Sequence, residues 1–269
     1  MKLSVLVDNH TYIDRYFLGE PAVSYYLEID ECRILFDTGY SAIVFSNAGK
    51  MGIDLSGLTH IVLSHGHNDH TNGLRYLKEH IDTSEIELIA HPDCFCPKRD
   101  GEEWIGSPMS RQEVEAQLRY RPECDPFWIS QNCVFLGQIP QTNTFEVRQK
   151  IGEQRKHGAW QPDEVLDDTA VACRTDRGLF LITGCSHSGI CNIMDYAMEI
   201  CKEKRIAGIL GGFHLFENDS RLAETIRHME EKQVQKVYPC HCVSLLAKAR
   251  MMEKLAVEEV GTGLKIEIE

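Results

Sequence analysis

His65-Gly66-His67-Asn68-Asp69-His70 places three imidazoles and one carboxylate within six residues. Neutral imidazole nitrogen and carboxylate oxygen are donors that zinc, iron and manganese accept. Packing of a short loop has no use for that set. Four such donors can face two adjacent positions, His65 and His67 at one cation and Asp69 and His70 at a second. Histidines clustered this closely act as switches, catalysts or metal ligands far more often than as solvated bystanders.

The second half of the chain repeats a pattern that could complete such a site. Three apolar strands each end in a Gly- or Pro-marked turn carrying a histidine. These are Gly184-Cys185-Ser186-His187-Ser188-Gly189, Gly211-Gly212-Phe213-His214 and Pro239-Cys240-His241-Cys242. Histidines at successive strand ends meet at one edge of a sheet, where α/β proteins place their chemistry. Ser188-Gly189 also opens a helix, whose free N–H groups could receive a phosphate or carboxylate of a substrate, or an ordinary cap with no ligand.

The surrounding elements follow from apolar periodicity. A first strand occupies 1–8, and strands 23–29 and 32–36 flank a turn at Asp30-Glu31. A helix over 41–51 and a strand over 59–64 deliver the chain to His65, and a helix over 71–80 begins just after His70. Strands 169–174 and 178–183 turn at Asp176-Arg177. Ile190, Ile193, Ala197 and Ile200 mark a helix face, and strand 206–210, helix 220–232, strand 234–238, helix 244–255 and strand 264–268 complete the chain. Residues 97–165 differ: they hold all three tryptophans and little clean periodicity. They read as an insertion or lid with short helices such as 110–120. Its aromatics could line a substrate pocket or form a small core of their own.

With the strand-end histidines added to H-x-H-x-D-H, the chain resembles the metallo-β-lactamase superfamily over nearly its whole length. Leu35-Phe36-Asp37-Thr38-Gly39 is similar to the family's first motif, whose aspartate orients the metal loop. His65, His67, Asp69 and His70 match the second motif. Gly184-Cys185 stands where many members have Gly-Asp with a bridging carboxylate, and His241 resembles the last histidine ligand. The fuller set, His65-Gly-His-x-Asp-His-Thr, Thr183-Gly-Cys-Ser-His-Ser-Gly-Ile190, Gly211-Gly-Phe-His-Leu215 and Pro239-Cys-His-Cys242, resembles the branch called dihydropterin ribofuranosylaminobenzene phosphate synthase-like.

The resemblance implies an α/β fold, an αββα sandwich in one domain over 1–269, and a binuclear site. His65, His67 and His187 would hold the first cation, with His91 and His157 as other candidates for its third ligand. Asp69, His70 and His241 would hold the second, with Cys185 at the bridge. Two divalent cations this close bring a shared water toward ionisation at neutral pH, which Asp69 could orient. His214 would polarise the substrate or steady a ligand, unless it simply caps backbone carbonyls. Zinc is the default metal, with iron or manganese as alternatives.

The expected activity is hydrolysis of a small ester or phosphoester by metal-hydroxide attack. Three other classes are weighed beside it: a C–N bond-forming synthase, an iron-dependent oxidoreductase and a non-catalytic ligand sensor. A net charge of −13 argues against nucleic acid. A small anionic substrate stays open, because two cations would invert the local sign. No apolar run approaches a membrane span, and nothing sets an oligomeric state. Eleven cysteines, an odd count with no signal peptide before them, fit a reducing cytoplasm. Away from Cys185 and Cys242 most read as small buried hydrophobes.

Overall fold

The computed structural model describes residues 1–268. Strands β1 (Lys2–Val7), β2 (Ser24–Ile29) and β3 (Cys32–Phe36) pair antiparallel in turn. Helix α1 (Ile43–Met51) leads to β4 (His60–Val62). Helix α2 (Asn68–Thr71), a 3-10 stretch (Asn72–Tyr76) and α3 (Leu77–His80) lead to β5 (Glu87–Ala90). Strands β6 (Lys98–Asp100) and β7 (Glu103–Trp104), helix α4 (Arg111–Glu115), and strands β8 (Arg119–Pro122), β9 (Phe127–Trp128) and β10 (Cys133–Phe135) follow. Next come β11 (Glu153–Lys156), β12 (Ala159–Pro162), β13 (Ala170–Thr175) and β14 (Gly178–Thr183). The chain finishes with α5 (Ile190–Cys201), β15 (Ile206–Gly211), α6 (Ser220–Glu231), β16 (Val237–Pro239), α7 (Leu245–Met252) and β17 (Lys265–Glu267).

These strands form a seven-stranded sheet, β17-β1-β2-β3-β4-β5-β8, and a six-stranded sheet, β16-β15-β14-β13-β10-β9. Side-chain alternation along each strand explains why they stack. Leu3, Val5, Tyr25, Phe36 and Val62 of the first sheet meet Phe135, Val171, Phe180 and Ile182 of the second in one buried cluster. The intervening residues point outward, where Ala170, Ala172, Leu179 and Leu181 pack on Ile193, Ala197, Leu222 and Met251 of the helices. Leu35, Ile61 and Leu88 do the same toward Val44 and Leu74 on the other side. The result is the expected αββα layering.

The metal loop enters its helix earlier than the sequence suggests. His67 is the extended residue before α2, so Asp69 and His70 lie inside the helix instead of ahead of it. The expected helix over 71–80 is also broken. Thr38 donates to the His70 carbonyl through both its N–H (2.8 Å) and its hydroxyl (3.0 Å). That carbonyl would otherwise serve the regular i→i−4 ladder, and the chain tightens to 3-10 geometry there. Gly73 is required by the same contact, since a Cβ would stand 2.0 Å from the Thr38 carbonyl oxygen.

Residues 97–165 also depart from expectation. Helix α4 ends at Glu115 in place of Tyr120, although Ser110 and Glu113 form a capping box at its start. The chain then becomes β8, parallel to β5, with Arg119 and Arg121 paired to Glu85 and Glu87. Strands β8, β9 and β10 therefore belong to the two main sheets. The part that stands apart is a small sheet, β12-β11-β6-β7.

Of the two readings of Ser188-Gly189, the start of α5 takes the ordinary cap. Its N–H groups are already taken: Glu146 accepts from Cys191 N (2.9 Å) and Asn192 N (2.8 Å), and Asp168 accepts from Ser188 N (2.8 Å). A buried carboxylate at a helix N-terminus satisfies both the orphan donors and the dipole. Glu146→Ala should lower stability by about 2–4 kcal/mol by leaving two buried N–H groups unpaired. Urea unfolding followed by circular dichroism measures this; an unchanged midpoint would remove Glu146 from that role.

Candidate metal centre

Parallel strands share a direction, so their C-terminal ends lie along one edge. Strand β3 ends at Phe36 and hands over to Asp37, β4 leads to His65, β14 to Cys185 and His187, β15 to His214, and β16 to His241. Asp37, Ser186, His214 and His241 all take left-handed φ, between 50° and 57°. Each strand thus turns sharply at the edge, and the next side chains fall inward on a common point.

The imidazoles gather there. His65 lies 4.5 Å from His67, 4.1 Å from His70 and 4.8 Å from His187, measured between ring centroids. His70 lies 5.1 Å from His241, and His187 lies 4.6 Å from His214. Two groups have donor atoms within 4.8 Å of one another: His65, Cys185 and His187, and His70, Cys185 and His241. Cys185 belongs to both. Asp69 flanks the second group, its Oδ2 3.4 Å from His70 Nε2 and 3.3 Å from His241 Nε2. His67 Nδ1 lies 2.9 Å from His65 Nε2, while His67 Nε2 and His187 Nε2 are buried with no hydrogen-bond partner. Unpartnered buried nitrogens are costly unless something meets them, and a cation would. The donor set fits one.

His187 is the histidine that joins His65 and His67. His91 sits at the end of β5 with Nε2 3.5 Å from Cys124 Sγ and Nδ1 accepting from Asp93 N. His157 is exposed in the turn between β11 and β12. Neither joins the groups: His91 follows β5, one strand further along the edge than β4, where it faces Cys124, and His157 lies in the β11–β12 hairpin of the small sheet.

Electrostatics separate the two groups. Burial and the neighbouring imidazoles push His65 and His187 well down, and burial brings His67 down to about 4. Their lone pairs are therefore free for a metal. His70 goes the other way: against burial, Asp69 and Asp37 hold it well up. Burial also opposes ionisation of Asp69, yet His70 and His241 hold its carboxyl well down. Burial and Arg221 bring His214 down to about 4, leaving a neutral ring beside His187. Cys242, next to Cys185, reaches about 7 against burial, through the Cys185 thiol and His241.

Other residues aim these groups. Asp37 accepts from His70 Nδ1, Ser64 N and Ser64 Oγ, each at 2.7 Å, and Ser64 Oγ also meets His65 Nδ1 at 2.9 Å. His241 Nδ1 pairs with Asn9 Oδ1 at 2.9 Å, turning Nε2 toward Asp69, and Asp8 accepts from His241 N. Gly66, between two candidate ligands, donates its N–H to Asp167 at 2.7 Å. Asp167 is held in turn by Lys98, fully buried, whose ammonium also pairs with Asp163 at 2.6 Å. Against burial, Lys98 brings Asp167 down to about 2. Asp168 Oδ1 is buried without a partner beside His187, and burial lifts its carboxyl to about 6. Sequence inspection found Asp37 from its motif. It missed Asn9, Lys98, Asp167 and Asp168, which lie far along the chain from what they hold.

A cavity of about 390 Å³ opens over this edge, lined by His67, Asp69, Tyr40 and Ile105. A second, of about 450 Å³, adjoins it at Tyr40 and Asn68 and takes in Trp104 and Arg75. Trp104 packs on Trp160, their ring centroids 5.8 Å apart. Trp128 lies elsewhere, under Arg174 on the second sheet. Trp104 thus faces a cavity, whereas among the described residues Trp128 belongs to neither a cavity wall nor a separate small core.

A two-sheet sandwich that collects imidazole, carboxylate and thiol donors at one edge defines an α/β protein with a metal-type site. The sequence model of the metallo-beta-lactamase superfamily matches residues 18–128. The uncharacterized protein MJ0448 of Methanocaldococcus jannaschii is 31% identical, with 93% of this chain and 94% of that protein aligned. A second protein of that organism, 7,8-dihydropterin-6-methyl-4-(beta-D-ribofuranosyl)-aminobenzene-5'-phosphate synthase, is 28% identical, covering 94% of this chain and 91% of its own. The crystal structure of Tm1679, described as a metal-dependent hydrolase of the beta-lactamase superfamily, superposes with a TM-score of 0.84 at 29% identity. It covers 100% of this chain and 99% of that one. The chain belongs to the metallo-β-lactamase superfamily.

Two expectations follow. His187→Ala should lower metal bound per chain, whereas His91→Ala should retain the wild-type content; elemental analysis after dialysis decides, and equal loss in both would sink the assignment. In metal-free protein the lowered value of His67 means the unfolded chain binds more protons between pH 6.5 and 4. Its contribution to stability therefore falls as pH drops through that window. His67→Gln should flatten the fall, read from melting temperature against pH in chelator.

Proposed function

We propose that this protein is a metal-dependent hydrolase that holds two divalent cations and acts on a small ester or phosphoester. The observation that carries the reading is the pair of donor groups sharing Cys185, with His67 Nε2 and His187 Nε2 buried and unpartnered. His65, His67 and His187 would hold one cation, and Asp69, His70 and His241 the other, with the Cys185 thiolate between them. When bound, two such cations supply Lewis acidity and a water acidic enough to ionise near neutral pH.

The chain's own residues do the rest. Asp37 and Asn9 fix the ring orientation of His70 and His241, so that each Nε2 faces the site. Asp69, held ionised, can accept a proton or orient a nucleophile from one side. His214, neutral and 4.6 Å from His187, stands where it can donate to or accept from a substrate. Tyr40 and Ile105 form an apolar wall on the remaining side. Zinc is the metal we assign first; imidazole, carboxylate and thiolate together also accept iron and manganese. The likeness to Tm1679, a metal-dependent hydrolase by its description, supports the reaction class.

The aromatic cavity wall favours a second reading. The relative named as a dihydropterin synthase suggests C–N bond formation on an aromatic substrate, and Tyr40 and Trp104 would suit one. Paired assays separate the two: ester and phosphoester hydrolysis needs no second substrate, whereas a synthase turns over only with both. The free cysteines Cys185 and Cys242 suit a reducing cytoplasmic setting, and we take the substrate to be a small molecule. Among the described residues, no helix is long and apolar enough to cross a membrane.

Asp69→Ala should abolish hydrolysis and lower metal content while leaving the circular dichroism spectrum unchanged. Full activity in that variant would defeat the two-metal mechanism. About two metals per chain in protein purified without oxygen or chelator is the content the mechanism requires.

A further inference from the structure

We propose that the substrate is an aromatic anion, its ring against Tyr40 and Trp104 and its anionic end on Arg75, away from the metal edge. The inference rests on the hydrolase reading for its reacting end, but the binding subsite is argued independently.

Tyr40 is 46% exposed and Trp104 66% exposed, and both line the 450 Å³ cavity beside the metal loop. Large aromatics left open on a cavity wall are the usual means of gripping a planar apolar body. Their positions are fixed by a run of hydrogen bonds. Asn68 Nδ2 donates to the Trp104 carbonyl at 3.1 Å, and Asn72 Nδ2 donates to the Tyr40 carbonyl at 2.7 Å. Arg75 reaches Asn72 Oδ1 at 3.5 Å. The backbones of Tyr40 and Trp104 are thus tied to the helical segment that carries Asp69 and His70.

Charge sets the orientation. Asp69 and Asp100 line the cavity nearer the metal edge. Lys98 touches the farther cavity, but Asp163 and Asp167 neutralise it. Arg75 remains: among the described residues no carboxylate lies within ion-pair distance of it. Its guanidinium offers a fork suited to carboxylate or phosphate. Six residues of α-helix and 3-10 helix separate Asp69 from Arg75, a rise of about 9–12 Å. With the reach of an arginine side chain, that spans a single substituted ring.

The test uses the zinc-loaded full-length protein and tryptophan fluorescence, with 4-hydroxybenzoate and phenol as probes. The expected result is quenching by both, with the carboxylate binding about tenfold or more tighter. Arg75→Gln should erase that preference, and Trp104→Ala should weaken both probes. Arg75 and Trp104 are exposed, so neither change threatens the core. Carboxylate preference that survives Arg75→Gln would mean the anion binds at the metals, and would overturn the proposal. Turnover is followed separately with 4-acetoxybenzoate and phenyl acetate. Intact, Arg75-dependent binding without turnover of either ester would support the subsite and sink the hydrolase reading. Turnover with Arg75-independent binding would do the reverse.

Discussion

The Asp37 carboxylate is the constraint on which the site depends. It is fully buried, so its oxygens must find hydrogen-bond donors within the protein. Its partners come from different elements: the His70 ring on α2 and the Ser64 N–H and hydroxyl after β4. Ser64 passes the contact on to His65. Gly184 leaves the room, since a Cβ there would stand 2.1 Å from Ser64 Oγ and 3.0 Å from Asp37 Oδ2. One side chain thus fixes where β3, the metal loop and the end of β14 lie relative to one another.

The left-handed turns at Asp37, Ser186, His214 and His241 are the second requirement. Non-glycine residues in that region cost about 1–3 kcal/mol each. Asp and His tolerate it better than most, and the surrounding contacts hold each one. The His241 N–H bond to Asp8 and the Ser186 hydroxyl bond to the Gly212 carbonyl are two of them. The strain sits where the chain must leave a sheet and deliver a side chain within two or three residues.

Much of this was legible in the residues. H-x-H-x-D-H is local, so its chemistry survives without a fold, and apolar strands ending in His187, His214 and His241 announced a shared edge. Two hairpins followed from their turn residues, Asp30-Glu31 between β2 and β3 and Asp176-Arg177 between β13 and β14. What stayed hidden has a common cause. Asp167 meets Gly66 across 101 positions, Asn9 meets His241 across 232, and Glu146 caps a helix 45 positions on. An ordinary acid or amide that binds a distant backbone group leaves no spacing to read. The broken helix after His70 was hidden for the same reason, because Thr38 takes the carbonyl from another strand. The Ser188-Gly189 helix start left two readings open because the residue that occupies its donors, Glu146, is distant in sequence.

The small sheet and the metal loop are joined by backbone. Asn68 N donates to the Ile105 carbonyl at 2.8 Å, and His67 pairs with Gly106. The sheet that carries Trp104 therefore cannot shift without moving the peptide that carries two metal donors. Thermodynamic linkage makes this reciprocal: whatever factor a ligand on the sheet imposes on metal affinity, the metal imposes on the ligand's affinity. Through those two backbone contacts, a change at Trp104 reaches His67 without passing through solvent.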